Sequence, residues 1–420
     1  MASTFTKQER VMFDDMIEGF DDMLVIAKGA ETYTPPNPED MARAGDEFWL
    51  PTPQISASFD GFDQTSNFGG ISELSVPVRI GYHKSVPIQM SAKDMRVQSA
   101  MDRKGKSAKQ RLASDVNLAL FNTVALQGSI FVKRTGAPTG FDDVALADAA
   151  MTERGVPVDD RMMFLAPRVY NAMAGNLANR ATDNKRDLDA YGKASIGDIA
   201  GFDTYKNDQS IRLAAAGGGA TTINGANQRT VPASTTTAGT GEAANKDNRY
   251  TDLVITAATY ANVKTGDAFT IAGVNSLHMI TKQDTGQLMT FRVVGKPAAN
   301  TIRVYPAIVD AAEGSAPSVE YANVSATPAN GATVTWLNTT AAELNPFFRK
   351  ESLLLIPGSF AVNASDGWLV QQATTDLGIN ITYTRQGEIN DLTTKARWDI
   401  DFGTALTNPD QAGVEMFGQA

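Results

Sequence analysis

The sequence predicts an α+β protein of more than one domain, and three observations carry that reading. Residues 100–126 hold one long helical pattern, and strand patterns with a period of two lie before it at 55–80 and after it at 353–383. Between these, residues 247–274, DNRYTDLVITAATYANVKTGDAFTIAGV, open a small β-barrel-like module set between two parts of a larger body. With 420 residues and 42% hydrophobic content, two or three domains are expected.

Taken in order, residues 9–28 read as an amphipathic helix. Val11, Met12, Met16, Phe20, Met23, Leu24 and Ala27 recur at steps of three and four, and Asp14, Asp15, Glu18, Asp21 and Asp22 occupy the other face. Pro35, Pro36 and Pro38 forbid continuation, so the segment reads as a terminal arm. Residues 48–90 read as a long hairpin: Ile55, Ala57 and Phe59 form one limb, Leu74, Val76, Val78 and Ile80 the other, with Gly61, Gly69 and Gly70 at the tip.

In the helix over 100–126, Leu112, Val116, Leu120 and Val124 return every four residues, and Gly128 is a stop signal. Its start is basic, with Arg103, Lys104, Lys106, Lys109 and Arg111. A strand is expected at 129–133, helices at 141–154 and 167–177, and loop elsewhere up to 205. The Gly-, Ala- and Thr-rich stretch 214–245 reads as loop leading into the module. There Leu253 and Ile255 alternate with Val254 and Thr256, residues 264–267 turn, Phe269 and Ile271 resume the period, and further strand is expected at 291–294 and 302–305. The body returns after Pro346 with strands at 353–356 and 379–383, a turn at 408–410 and a last segment at 413–416.

The chemistry is mostly negative. A formal charge of −10 argues against a general nucleic-acid binder. The absence of cysteine removes disulfides, thiolate metal sites and thiol nucleophiles. The sequence has no continuous apolar run of membrane-spanning length, and MASTFTKQER lacks an export core, so a cytosolic product is expected. His83 and His278 lie far apart in no metal-ligand spacing. Gly105-Lys106-Ser107 lacks the earlier glycine of a phosphate loop, since Ala100 stands there. No GxSxG elbow occurs. Asp142, Asp143, Asp159, Asp160, Asp187 and Asp189 pair on paper, but such doublets are usually helix starts or solvated loops. The expectation is a protein without catalysis, cofactor or metal. A polysaccharide-binding tail protein is the alternative, although Trp49, Trp336, Trp368 and Trp398 are scattered and not in rows.

Landmarks along the chain point further: YTPP at 33–36, FWLP at 48–51, GFD at 201–203, YANV at 321–324 and GINITYTRQGEINDLTTKARWDI at 378–400. In wording and order they resemble the major capsid (coat) proteins of short-tailed Salmonella and Shigella phages. The resemblance implies the Hong Kong 97-like capsid fold of tailed phages. It also implies a division into an N-terminal arm (1–45), an extended hairpin with peripheral strands (46–95), a spine helix (96–140) and an axial domain (141–210). An inserted β-rich domain (211–345) with a projecting loop near 236–249 and a completing segment (346–420) follow. The implied function is a shell of pentamers and hexamers, assembled around a scaffolding protein in the host bacterial cytoplasm, joined to a portal protein and expanding around double-stranded DNA. Neither sequence-specific DNA binding nor a membrane role is implied, and no isopeptide crosslink.

Two sets of residues become candidate contacts under this resemblance. The carboxylates of Asp14, Asp15, Glu18, Asp21 and Asp22 form an electrostatic dock for a basic end of the scaffolding protein, weighed equally against a merely solvated face. On the loop at 240–249, Glu242 and Asp247 against Lys246 and Arg249 supply the two signs that a self-complementary two-fold contact between capsomers needs.

Overall fold

The computed structural model describes all residues except 1–4, 6, 35–44, 46, 53–59, 66–67, 69–71, 92, 180–195 and 361–367. Two units form from segments distant in sequence. One comprises Met1–Phe48, Val78–Phe121 and Leu353–Ala405, the other Trp49–Pro77, Asn122–Ser352 and Leu406–Ala420.

The first unit is built on a sheet in the order Glu31–Thr32, Leu353–Pro357, Thr393–Leu406, Asn380–Glu388, Leu369–Thr374, with Tyr82–Ser91 also paired to the long strand Thr393–Leu406. Side chains on a strand alternate between faces. Trp398, Ile400 and Phe402 with Ile381 and Tyr383 are accordingly buried, while Lys395 and Arg397 are exposed. The ring of Phe13 lies 6.2 Å from that of Tyr383, so the N-terminal helix helps to cover the apolar side.

That helix is shorter than its pattern suggests. It spans Lys7–Ile17. Gly19 then adopts φ +67°, a left-handed conformation that ends helices and that favours glycine. Two 3₁₀ turns, Asp21–Met23 and Ala27–Gly29, carry the chain onward. Met12, Met16, Phe20, Leu24 and Ala27 of the predicted stripe are buried and Phe13 joins them, whereas Val11 is 41% exposed. The segment read as an arm is thus seated on its own unit over these residues. Pro35, Pro36 and Pro38 lie outside the described residues.

The long helix runs Gln98–Gln127, 30 residues, or about 45 Å at ~1.5 Å per residue. Leu112, Val116, Leu120 and Val124 are fully buried. Gly128 follows it for a different reason than a left-handed cap. A Cβ there would lie 2.9 Å from the backbone nitrogen of Gly413, so the residue permits close approach of two backbones. In the hairpin region Glu47–Pro51 pairs with Ser75–Arg79, and Thr52 N–H donates to Leu74 O at 2.8 Å. Ile55, Ala57, Phe59, Gly69 and Gly70 lie outside the described residues.

In the second unit a mixed sheet runs Ile130–Lys133, Ala412–Met416, Asn345–Arg349, Arg161–Leu165, Phe202–Lys206, Asp198–Ile199. The helices Phe141–Glu153 and Pro167–Asn179 bury Val144, Ala147, Met151, Val169 and Met173 in one core with Met163, Leu165, Phe202 and Phe347. Strands Arg161–Leu165 and Phe202–Lys206 fall where loop was expected. RMMFL is buried on both faces and so has no alternation to read.

The same unit holds a second, antiparallel sheet in the order Thr221–Thr222, Thr333–Trp336, Ala268–Leu277, Asp284–Ala298, Thr301–Tyr305, Thr251–Val254. A bridge between Ile223 and Ile255 joins its two ends, closing a barrel and removing its edges. Leu253, Ile255, Phe269, Ile271, Phe291, Val293, Ile302 and Val304 fill the interior. The chain enters and leaves side by side, since Arg212–Leu213 pairs antiparallel with Ala342–Glu343 and Leu344 N–H donates to Ile211 O at 3.0 Å. The stretch 214–245, read as loop, holds the first barrel strand and a separate hairpin of Thr235–Thr237 with Ala243–Asn245.

Candidate functional site

The acidic residues of the N-terminal segment divide at Gly19. Asp14, Asp15 and Glu18 are exposed. Asp22 is exposed too and pairs with Lys28 at 3.1 Å. Asp21 does not share their face: Oδ2 accepts from Leu377 N–H at 3.1 Å, and Oδ1 is buried without a hydrogen-bond partner. The helix break turns this carboxylate inward, a rotation that a continuous 9–28 helix would not produce. Lys109, from the basic start of the long helix, places Nζ on the carbonyls of Asp15 (3.2 Å) and Glu18. A cation on the last carbonyls of a helix complements its dipole. Glu9, which pattern alone did not single out, is fully buried and paired with Arg385.

The loop at 240–249 is the second limb and base of the hairpin Thr235–Thr237/Ala243–Asn245. Thr235 pairs with Asn245, Thr236 with Ala244 and Thr237 with Ala243, and Gly241 at φ +89° makes the tip turn. A lone two-stranded hairpin is marginal in water. Its base is therefore held by side chains: Asn248 exchanges hydrogen bonds with the backbone of Ala233 at 3.1 and 2.9 Å, and Lys246 Nζ donates to Val231 O at 2.6 Å.

Arg249 donates through Nε and a terminal nitrogen to the two oxygens of Asp247 at 2.9 and 2.8 Å, and its guanidinium lies 5.2 Å over the ring of Tyr250. Burial pulls the Arg249 pKa down, but the hydrogen bonds to Asp247 and the surrounding charges leave it raised overall. Asp247 and Arg249 are thus joined within one chain, while Glu242 stands exposed beside the tip. Behind them, Arg303 meets Asp252 across the barrel strands with two bonds of 2.7 and 2.8 Å, which accounts for an arginine between β-branched residues.

Several of the remaining candidates hold the fold together. Asp143 accepts from Gly140 N–H at 3.1 Å at a helix start and pairs with Arg134. Asp159 holds Arg349 at 2.7 Å. Asp187 and Asp189 lie outside the described residues. His83 lies 3.6 Å from Asp399 and packs edge-on against Phe360, and His278 Nδ1 accepts from Ile280 and Thr281 N–H within a turn. Gly105 lies inside the long helix, where a Cβ would come within 3.0 Å of Met12. Among the described residues no group of three or more carboxylates and histidines is placed to hold a metal, and no helix is long and apolar enough to cross a membrane.

Sequence reasoning also missed a buried acid that lacks a hydrogen-bond partner. Glu415, on strand Ala412–Met416, is fully buried with neither carboxylate oxygen hydrogen-bonded among the described residues. Burial first, then the Asp143 carboxylate, push its pKa up to about 8 against the opposing pull of Arg134.

The family model described as P22 coat protein, gene protein 5, matches residues 1–418. Among solved structures, the chain is similar to the CUS-3 coat protein I-domain at 34% identity, over 28% of this chain and 95% of that one, with a TM-score of 0.22. It is similar to a chain of Mycobacterium phage Che8 at 10% identity, over 93% and 90%, with a TM-score of 0.45. The capsid structure of cyanophage P-SCSP1u matches at 12% identity, over 93% and 86%, with a TM-score of 0.43.

Proposed function

Because this chain belongs to the P22 coat protein family and is a major capsid protein that forms an icosahedral shell, we propose that it assembles around a scaffolding protein and later expands around double-stranded DNA. The α+β fold is the Hong Kong 97-like one of that family, and the tail-protein alternative falls away. The observation that carries the reading is the family match along residues 1–418. In this reading the chain does no catalysis, assembles in the host bacterial cytoplasm, joins a portal protein at one vertex and contacts DNA without reading its sequence. Residues 211–345 act as the inserted domain, and the hairpin at 235–245 is its projecting loop.

Shell formation of this kind rests on many weak contacts, each individually modest, that sum over a closed lattice. Expansion requires two packings of the same subunits that differ by little. The scaffold contact is proposed at Asp14, Asp15, Glu18 and Asp22, whose exposure on one short segment supports it; Asp21 is engaged internally.

Electron microscopy of the purified protein with its scaffolding protein tests the reading directly. Closed shells are expected; a monodisperse chain at high concentration with scaffold present overturns it. Reversing Asp14 and Glu18 to Lys weakens scaffold binding in a salt-dependent way, and unaltered binding removes this contact. Deleting 236–249 leaves a folded subunit that fails to close shells.

A further inference from the structure

The N-terminal segment lies alongside the long helix Gln98–Gln127, and four residues of that helix meet it in order. Gln98 donates through Nε2 to Gln8 O at 3.4 Å. At Gly105 a Cβ would stand 3.0 Å from Met12 Cγ, so the absent side chain admits Met12. Lys109 donates from Nζ to the carbonyls of Asp15, at 3.2 Å, and Glu18. Asn117 donates to Met23 O at 2.8 Å and accepts from Ile26 N–H at 3.3 Å. Gln98, Gly105 and Lys109 are spaced by seven and four residues and so share one face of their helix. The glycine of Gly105-Lys106-Ser107, which fits no phosphate loop, thus opens a seat one turn before Lys109.

The last carbonyls of a helix find no partner inside it. At the end of Lys7–Ile17, Asp14 O takes Glu18 N–H at 2.9 Å and Ile17 O takes Phe20 N–H at 3.0 Å. The Asp15 carbonyl takes the Lys109 ammonium, which also reaches the Glu18 carbonyl just past the helix. Because this grip is on main chain, the side chains of Asp14, Asp15 and Glu18 remain exposed. The start of the helix is fixed by other groups, Glu9 on Arg385 and Phe13 against Tyr383. Among the described residues, Lys109 is the side chain that hydrogen-bonds the main chain of the turn carrying the acids.

We infer that Lys109 is a positioning residue for scaffold binding: it holds Asp14, Asp15 and Glu18 in the array that a basic segment of the scaffolding protein meets. The inference rests on the scaffold contact proposed above and adds to it a residue whose own charge would repel that partner. The sign of the effect separates positioning from charge. By charge alone, removing Lys109 leaves the face more negative and strengthens the attraction of a basic segment. Positioning predicts the reverse, because carboxylates on a loosened turn lose conformational freedom when they bind.

Lys109→Met keeps the unbranched stem and removes the donor; Lys109→Arg keeps donors for both carbonyls. Binding of the scaffolding protein to the full chain should weaken by about tenfold in Lys109→Met and return close to the parent value in Lys109→Arg. Amide hydrogen exchange reads the turn itself. In Lys109→Met the Glu18 and Phe20 amides, which close the turn, should exchange faster, while those of the buried stretch from Leu112 to Val124 stay protected. Equal or tighter scaffold binding by Lys109→Met, no recovery in Lys109→Arg, or unchanged exchange at Glu18 and Phe20 overturns the positioning role. Loss of protection throughout the long helix overturns it too, since Lys109 would then serve the whole fold and not this turn. If reversing Asp14 and Glu18 weakens scaffold binding and Lys109→Met does not, only the positioning role falls; if the reversal leaves binding unaltered, the scaffold contact falls and takes this role with it.

Discussion

Arg249 and Asp247, two residues apart on the chain, close a bidentate pair at 2.9 and 2.8 Å that fastens the base of an exposed hairpin. Side chains two positions apart meet this way because the backbone turns between them, with Arg249 N–H also on Asp247 Oδ1 at 3.1 Å. Charges that a linear reading offers to a neighbouring subunit are therefore engaged in holding the loop's own shape.

Arg249→Ala loosens the hairpin without unfolding the barrel. Hydrogen bonds to charged groups contribute about 1.5–3 kcal/mol. Limited proteolysis of the variant should cleave at 235–245 well before global unfolding, where the parent resists. Equal resistance would show that Asn248 and Lys246 suffice.

The pairing of Glu9 with Arg385 predicts an asymmetry. Arg385→Met removes the cation that faces a fully buried carboxylate and should destabilise by about 3–5 kcal/mol. The double change Glu9→Gln with Arg385→Met removes both charges and should recover most of that loss. Denaturant titration of the three proteins measures it, and additive losses would argue against coupling.

Glu415 sets a pH dependence with a definite sign. Its pKa is about 8 when folded, against about 4.3 in an unfolded chain, so the native state binds the proton more tightly. Its stabilising share is whole below about pH 4.3, declines as pH rises toward 8 and is flat beyond. Glu415→Gln should match the parent near pH 4.5 and exceed its stability at pH 8.5, by a few kcal/mol at most. Parallel stability curves would contradict this.

Two glycines separate conformational from steric need. Gly19→Ala introduces a Cβ at φ +67° and should cost about 1–2 kcal/mol. Gly128→Ala drives a Cβ to 2.9 Å from the backbone of Gly413, which has no side chain to move aside, and should cost more. Thermal melts of the two variants rank them.

Elements whose own periodicity suffices were legible in sequence. The run Leu112, Val116, Leu120, Val124 named the buried face of a helix. The alternation through Leu253, Phe269 and Ile302 named the barrel interior, and the landmarks from 33 to 400 named the family. Those signals are local: a face repeats every 3.6 or 2 residues wherever it is buried against something. What the pattern could not contain was partnership. That Asp21 turns inward to Leu377, that Glu9 meets Arg385 and that Glu415 shares a site with Asp143 depend on segments brought together from up to 376 positions apart. The strand RMMFL was hidden for a related reason, since burial on both faces erases alternation. Composition and period determined which residues leave water; only the closed tertiary structure decided which charge each polar group would face, because that choice is made by distance in space and not by spacing along the chain.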